Sequence, residues 1–276
     1  MSTYLFIASA SACLVLSTYI LAGQEIRLTA ITWFAFFCTL LIYNFHKEST
    51  LLVRVSLSPK VVLKQFEKIS SLTKAMIAIA VAGIIYTALF LQVKTLLFFF
   101  ILAVITIAYS IPFLKIRGTK KRLREIVIVK ITTLAFIWSF TTVTLPLLES
   151  GLNIFTASSV LIFIQRFLFM YAICIPFEIR DIEQEKTRGN MTLPQLIGVN
   201  VSKLLGVLML LLFIVLACFQ FGASNPLAIA LSLSATVAAF LLLFSYERRS
   251  DYYFRIFVDG TMQLQFLLLI LFKYFA

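Results

Sequence analysis

The sequence predicts an all-α, polytopic membrane protein with about nine transmembrane helices in one bundle, and three observations lead there. Of 276 residues, 61% are apolar and 13% charged, against roughly 45–50% and about 25% in a soluble domain. The apolar residues fall into nine runs that approach or meet the roughly 20 residues a helix needs to cross a hydrocarbon core. Lys and Arg gather in alternate loops between those runs.

The first run, 4–22, follows a start without Lys or Arg and is itself followed closely by a second, 28–45. A cleaved signal peptide needs a basic leader, so the first run reads as a retained helix. Runs 73–93 and 95–114 share a short turn and form a hairpin, and 126–148, 154–177, 204–222, 227–246 and 256–275 complete the set. They are rich in Phe, Leu and Ile without polar alternation, which favours helices over barrel strands. No Gly/Ser linker interrupts the chain, so 1–276 reads as a single membrane domain. Cys13, Cys38, Cys174 and Cys218 stand singly inside apolar runs and read as packing residues.

The formal charge is +12, from 24 Lys and Arg against 12 Asp and Glu. Nineteen of the 24 cations lie in the loops after runs 2, 4, 6 and 8, only Arg27, Lys94 and Lys273 lie on the other side, and Lys130 and Arg166 lie within runs. By the positive-inside rule the amino terminus and the polar loops are cytoplasmic and the carboxyl terminus is outside. Topology alone accounts for the basic residues, so the expected partner is the lipid bilayer and not nucleic acid.

Acidic residues are less evenly spread. Glu178, Asp181, Glu183 and Glu185 fall within eight residues at the end of the sixth run. On a helix, residues three and four apart share a face, which lines up Glu178, Asp181 and Glu185 and turns Glu183 away. Convergent carboxylates repel one another unless a cation sits among them, and Mg²⁺, which binds a few carboxylates together with substrate phosphates, suits such a stripe. The plainer reading is a solvated acidic helix end interleaved with Arg180, Lys186 and Arg188. Gly189 and Thr192-Leu193-Pro194 then read as a helix stop and a new start.

Here the chain resembles the UbiA-type prenyltransferase superfamily, nine-helix membrane enzymes that move a prenyl group from its diphosphate to an aromatic or other acceptor. The family's second acidic motif, DxxDxxxD followed by Gly, Thr, Leu and Pro, is matched by Glu178, Asp181 and Glu185, then Gly189, Thr192-Leu193-Pro194 and Gly198. Tyr109, Ser110, Pro112 and Leu114-Lys115 are similar to the family's Tyr…Pro…Leu-Lys stretch. The first motif, NDxxDxxxD, departs from the pattern: Asn44 and Glu48 fill two places, but Phe45 and Leu52 stand where carboxylates are expected, with His46 and Lys47 between. His46 reads as an interfacial aromatic.

The resemblance implies that Glu178, Asp181 and Glu185 are catalytic and, with Glu48, hold Mg²⁺, while Lys115, Arg180 and Asn44 bind the diphosphate of a prenyl diphosphate. The second partner is a lipophilic acceptor. The altered first motif keeps a non-catalytic descendant that binds an isoprenoid or a partner protein as the alternative, and a transporter would call for more polar residues at mid-membrane. Lys130 lies near a helix end, where it can snorkel. Arg166 lies about 18 Å deeper than Glu178 along its helix and requires a buried partner or polar cavity, for which Gln165, Tyr171 and Gln263 are candidates.

Overall fold

A computed structural model describes the backbone of residues 3–52, 70–110, 114–116, 119–121, 126–187 and 189–275, and their side chains except at 3, 45–52, 107–121 and 275. Among the described residues the regular structure is helical apart from a short ribbon. In order the helices are α1 (Thr3–Leu21), α2 (Ala30–Leu52), α3 (Ser71–Ala88), α4 (Val93–Ser110), α5 (Val127–Glu149), α6 (Ala157–Arg180), α7 (Ile182–Thr187), α8 (Leu193–Ile197), α9 (Val199–Phe221), α10 (Pro226–Leu243) and α11 (Tyr253–Tyr274). The ribbon pairs β1 (Leu114–Ile116) antiparallel with β2 (Thr119–Lys121), Leu114 opposite Lys121.

Among the described residues, α1, α3, α5, α6, α9, α10 and α11 are each long and apolar enough to cross a membrane. Two further apolar helices have shorter described stretches, Ala30–Asn44 in α2 and Val93–Thr106 in α4. These nine helices occupy the nine predicted runs, and seven of them meet the spanning length.

Local chemistry sets several boundaries. The Thr156 hydroxyl accepts the Ser159 N–H at 3.2 Å to open α6, and the Asn225 carboxamide accepts the Leu227 N–H at 2.9 Å to open α10. Pro194 and Pro226 stand in first turns, where a missing N–H costs nothing. At the junction of α8 and α9, Gly198 has φ +88°, which an L side chain resists. At the end of α5 the Glu149 carboxylate accepts the Gln92 N–H at 3.2 Å and the Thr95 hydroxyl at 2.5 Å, fastening the α3–α4 turn to it.

α6 is, after α1, the most buried of the spanning helices. It packs on α5 and α9; α9 packs on α10, α10 on α11, α11 on α1, and α1 on α5, while α2 and α3 attach to α1 in turn. Phe169, Phe213 and Phe254 are fully buried among these helices. Lipid tails are as apolar as leucine, so association here depends on close packing rather than on escape from water. Gly206 of α9 shows this, because its missing side chain makes room for Leu242 of α10 and Ile175 of α6. The outward face of α9 carries exposed Leu208, Leu211, Val215 and Phe219, a surface that suits hydrocarbon and not water.

Two helices contain π turns, Phe140–Thr144 in α5 and Tyr253–Val258 at the start of α11. A π turn inserts a residue and rotates everything beyond it relative to ordinary helical phase.

Candidate functional site

A cavity of about 310 Å³ opens among α1, α2, α5, α6 and α11. The residues that line it come from the start of α1 (Tyr4), the late part of α2 (Tyr43), the start of α5 (Lys130), the end of α6 and the start of α11 (Arg255). All five helix ends adjoin the same side of the molecule, so the cavity faces the end where the chain runs from α2 to α3, from α4 to α5 and from α6 to α9.

Its walls change character with depth. Lys130, Glu178, Arg180, Asp181, Arg255 and Asp259 supply three cations and three acids near the mouth, and Leu134, Trp138, Met170, Ile173 and Met262 line the interior. Along α5, Trp138 lies about 12 Å beyond Lys130, and along α6, Met170 lies about 16 Å beyond Asp181. A charge-balanced mouth over an apolar shaft fits an amphiphile with a charged head.

Glu178 is the most buried of the acids. Lys130 Nζ lies 2.6 Å from its Oε1, and the Leu193 N–H donates to its Oε2 at 3.3 Å. The Thr192-Leu193-Pro194 segment is therefore folded back onto the end of α6, and Gln195, whose Oε1 accepts the Thr192 N–H at 2.7 Å, donates Nε2 to the Ile182 carbonyl at 3.4 Å just beyond it. Asp181 ends α6 with φ −86° and ψ 3°, and its carboxylate accepts from Arg180 Nε at 2.7 Å and Nη2 at 3.3 Å. The Arg180 guanidinium in turn lies over the rings of Phe177 at 5.0 Å and Phe254 at 5.4 Å.

Glu185 stands apart. It sits on α7, accepts from Asn190 Nδ2 at 2.8 Å and does not line the cavity. One helical bond, from the Glu185 N–H to the Asp181 carbonyl at 2.8 Å, continues across the break. Glu178 and Asp181 thus meet at the cavity, Glu185 is directed elsewhere, and Glu183 is exposed as its helical phase predicts.

Glu178 and Asp181 already receive cations and an amide N–H from the protein, and no three His, Cys, Asp or Glu side chains converge among the described residues. What the described residues offer to a diphosphate is the cation set of Lys130, Arg180 and Arg255.

Of the remaining expected residues, Asn44 is buried and donates Nδ2 to the Leu40 carbonyl at 2.8 Å within its own helix, while neighbouring Tyr43 faces the cavity. The side chains of Glu48 and Lys115, like those of Phe45, His46, Lys47 and Leu52, lie outside the described residues, as does Arg188. Arg166 is buried as expected, but its partners are others: Nη1 donates to Gln265 Oε1 at 2.7 Å and Nη2 to the Leu14 carbonyl at 3.2 Å, joining α6 to α11 and α1. Gln165 and Gln263 bond elsewhere, to Gln220 and to the Phe6 carbonyl.

Sequence reasoning missed Asp259 and Arg255 as site residues. Asp259 takes no hydrogen bond and no ion pair from the described residues, and Arg180 and Arg255 are the cations whose charge reaches it. An acid inside an apolar run was the available signal, the same one that singled out Arg166. In comparisons with known proteins, the chain matches no family model and no curated protein.

Proposed function

We propose that the chain is a UbiA-type membrane protein of nine spans in one bundle that binds a prenyl diphosphate in this cavity and transfers the prenyl group to an aromatic or other lipophilic acceptor. Its amino terminus and polar loops face the cytoplasm and its carboxyl terminus lies outside. The observation that carries this reading is the union of three cations at the mouth with an apolar shaft beneath them.

In this reading Lys130, Arg180 and Arg255 meet the diphosphate oxygens, and Glu178 and Asp181 hold Lys130 and Arg180 in position. The isoprenoid chain runs past Leu134 and Met170 towards Trp138. Cleavage of the carbon–oxygen bond develops negative charge on the departing diphosphate, where fixed cations in a water-poor site act most strongly. The carbon left behind gains positive character, which the faces of Tyr43 and Phe177 near the mouth favour. Mg²⁺ supplies further neutralisation of a diphosphate when bound, and the resemblance alone supports it here.

A second reading, an isoprenoid-binding protein without transfer, is favoured by the internal pairing of Glu178 and Asp181. One experiment separates the two. The purified protein is incubated with farnesyl and geranylgeranyl diphosphate, with and without Mg²⁺, and bound ligand and released diphosphate are both measured. Mg²⁺-dependent release with a lipophilic acceptor supports transfer. Mg²⁺-independent binding without release supports the second reading, and absence of binding rejects both.

A further inference from the structure

The ionic groups at the mouth form pairs, with one left over. Glu178 is matched by Lys130, Asp181 by Arg180, and Arg255 by Asp251 at 3.3 Å on the outside. Asp259 lines the same cavity with neither a hydrogen bond nor an ion pair from the described residues. It sits on α11 between Arg255, one turn nearer the mouth, and Met262, one turn deeper, where the polar rim gives way to the apolar shaft. The π turn Tyr253–Val258 ends directly before it, and such turns recur at functional sites because they re-aim the residues that follow.

We propose that Asp259 is a separate subsite in this cavity, one that receives a hydrogen-bond donor, an amine or a hydroxyl, carried by a lipophilic ligand. A carboxylate at an apolar boundary is costly while unpaired, and a donor arriving on a ligand removes that cost. An anionic headgroup would be repelled from the same position, so the subsite is distinct from the cation set that takes a diphosphate. The inference rests on the proposed reading only in taking the shaft to accept an isoprenoid chain. Within that reading, Asp259 selects acceptors that bear N–H or O–H and disfavours those with a carboxylate at this depth.

The test uses the full chain in detergent micelles and three probes with the same tail: farnesylamine, farnesol and farnesyl diphosphate. Asp259→Asn should weaken farnesylamine about tenfold, the scale of one charge-assisted hydrogen bond. Farnesol should weaken less, because the carboxamide oxygen still accepts, and farnesyl diphosphate should bind more tightly. Glu183→Gln, at an exposed acid that does not line the cavity, should leave farnesylamine binding unchanged. Shifts of all three probes in one direction would mean that Asp259 serves packing, and would overturn the subsite, as would failure of the unmodified protein to bind farnesylamine.

Failure of farnesyl diphosphate alone to bind would reject the diphosphate reading and leave the amine result standing. If Asp259→Asn does not fold, carbodiimide labelling of the unmodified protein decides the matter. Farnesylamine bound at Asp259 should attack the activated carboxyl and be captured there as an amide with release of the urea, in preference to the exposed Glu183, and coupling no greater at Asp259 than at Glu183 would overturn the proposal.

Discussion

Lys130 Nζ lies 2.6 Å from Glu178 Oε1, an ion pair between α5 and α6 in which the lysine side chain is 21% exposed and the glutamate 6%. The asymmetry decides which partner can be lost. Lys130→Met strands a carboxylate with only the Leu193 N–H for company and should destabilise the protein by about 3 kcal/mol. Glu178→Gln leaves an ammonium that still reaches cavity water and should cost clearly less. Thermal unfolding in one detergent checks the order, and equal losses would contradict the assigned burial.

Among the described residues Arg166 makes two hydrogen bonds but has no acidic partner and leaves Nε unbonded. Such a charge is expensive to bury, and replacing it together with its partner by apolar groups of similar size is often neutral or stabilising. Arg166→Met should destabilise, because Gln265 then lacks its donor, whereas Arg166→Met with Gln265→Leu should recover most of the loss. If the double variant is less stable than the single one, the arginine serves something other than this bridge.

At Gly206 an added Cβ would collide with Leu242 Cδ2 and stand 3.0 Å from Ile175 Cδ1. Leu242 and Ile175 are both fully buried and have little room to retreat. Gly206→Ala should cost about 1–3 kcal/mol through overpacking, and Leu242→Ala in the same chain should restore part of it. Melting temperatures of the single and the double variant beside the unmodified protein read this directly.

The proposed topology makes a separate demand. Reporter fusions after 70 and 190 should score cytoplasmic, and fusions after 151 and 224 should score outside, because the loops at the cavity mouth carry most of the Lys and Arg. The reverse pattern would invert the protein and leave the cavity facing outward.

Helix order was legible because a run of apolar residues long enough to span a membrane has few other uses, and seven of the predicted runs hold a helix of spanning length, with shorter apolar helices described in the other two. The depth of Arg166 was legible for the same reason, since rise per residue is fixed. Its partner was not. Gln263 and Gln265 differ by about 200° in helical direction, and α11 begins with a π turn that shifts its phase against any count made from upstream. The acidic stripe was legible up to the point where the helix persists. The break at Asp181 redirects Glu185 towards Asn190. Asp259, an acid inside the last apolar run, carried the same local signal as Arg166, but its lack of a partner among the described residues is a property of five helices and of no local pattern.

The central claim is that the shaft beneath the three cations holds the tail of a prenyl diphosphate. The chain has two tryptophans: Trp138 lines the shaft, and Trp33 is 43% exposed on α2. In a Trp33→Phe background, Trp138 emission becomes a reporter of the shaft alone. Titration with farnesyl diphosphate should change it saturably, and Arg180→Gln should raise the midpoint about tenfold or more, as expected for a lost charged hydrogen bond. Emission that stays flat, or a midpoint that ignores Arg180, would contradict the account.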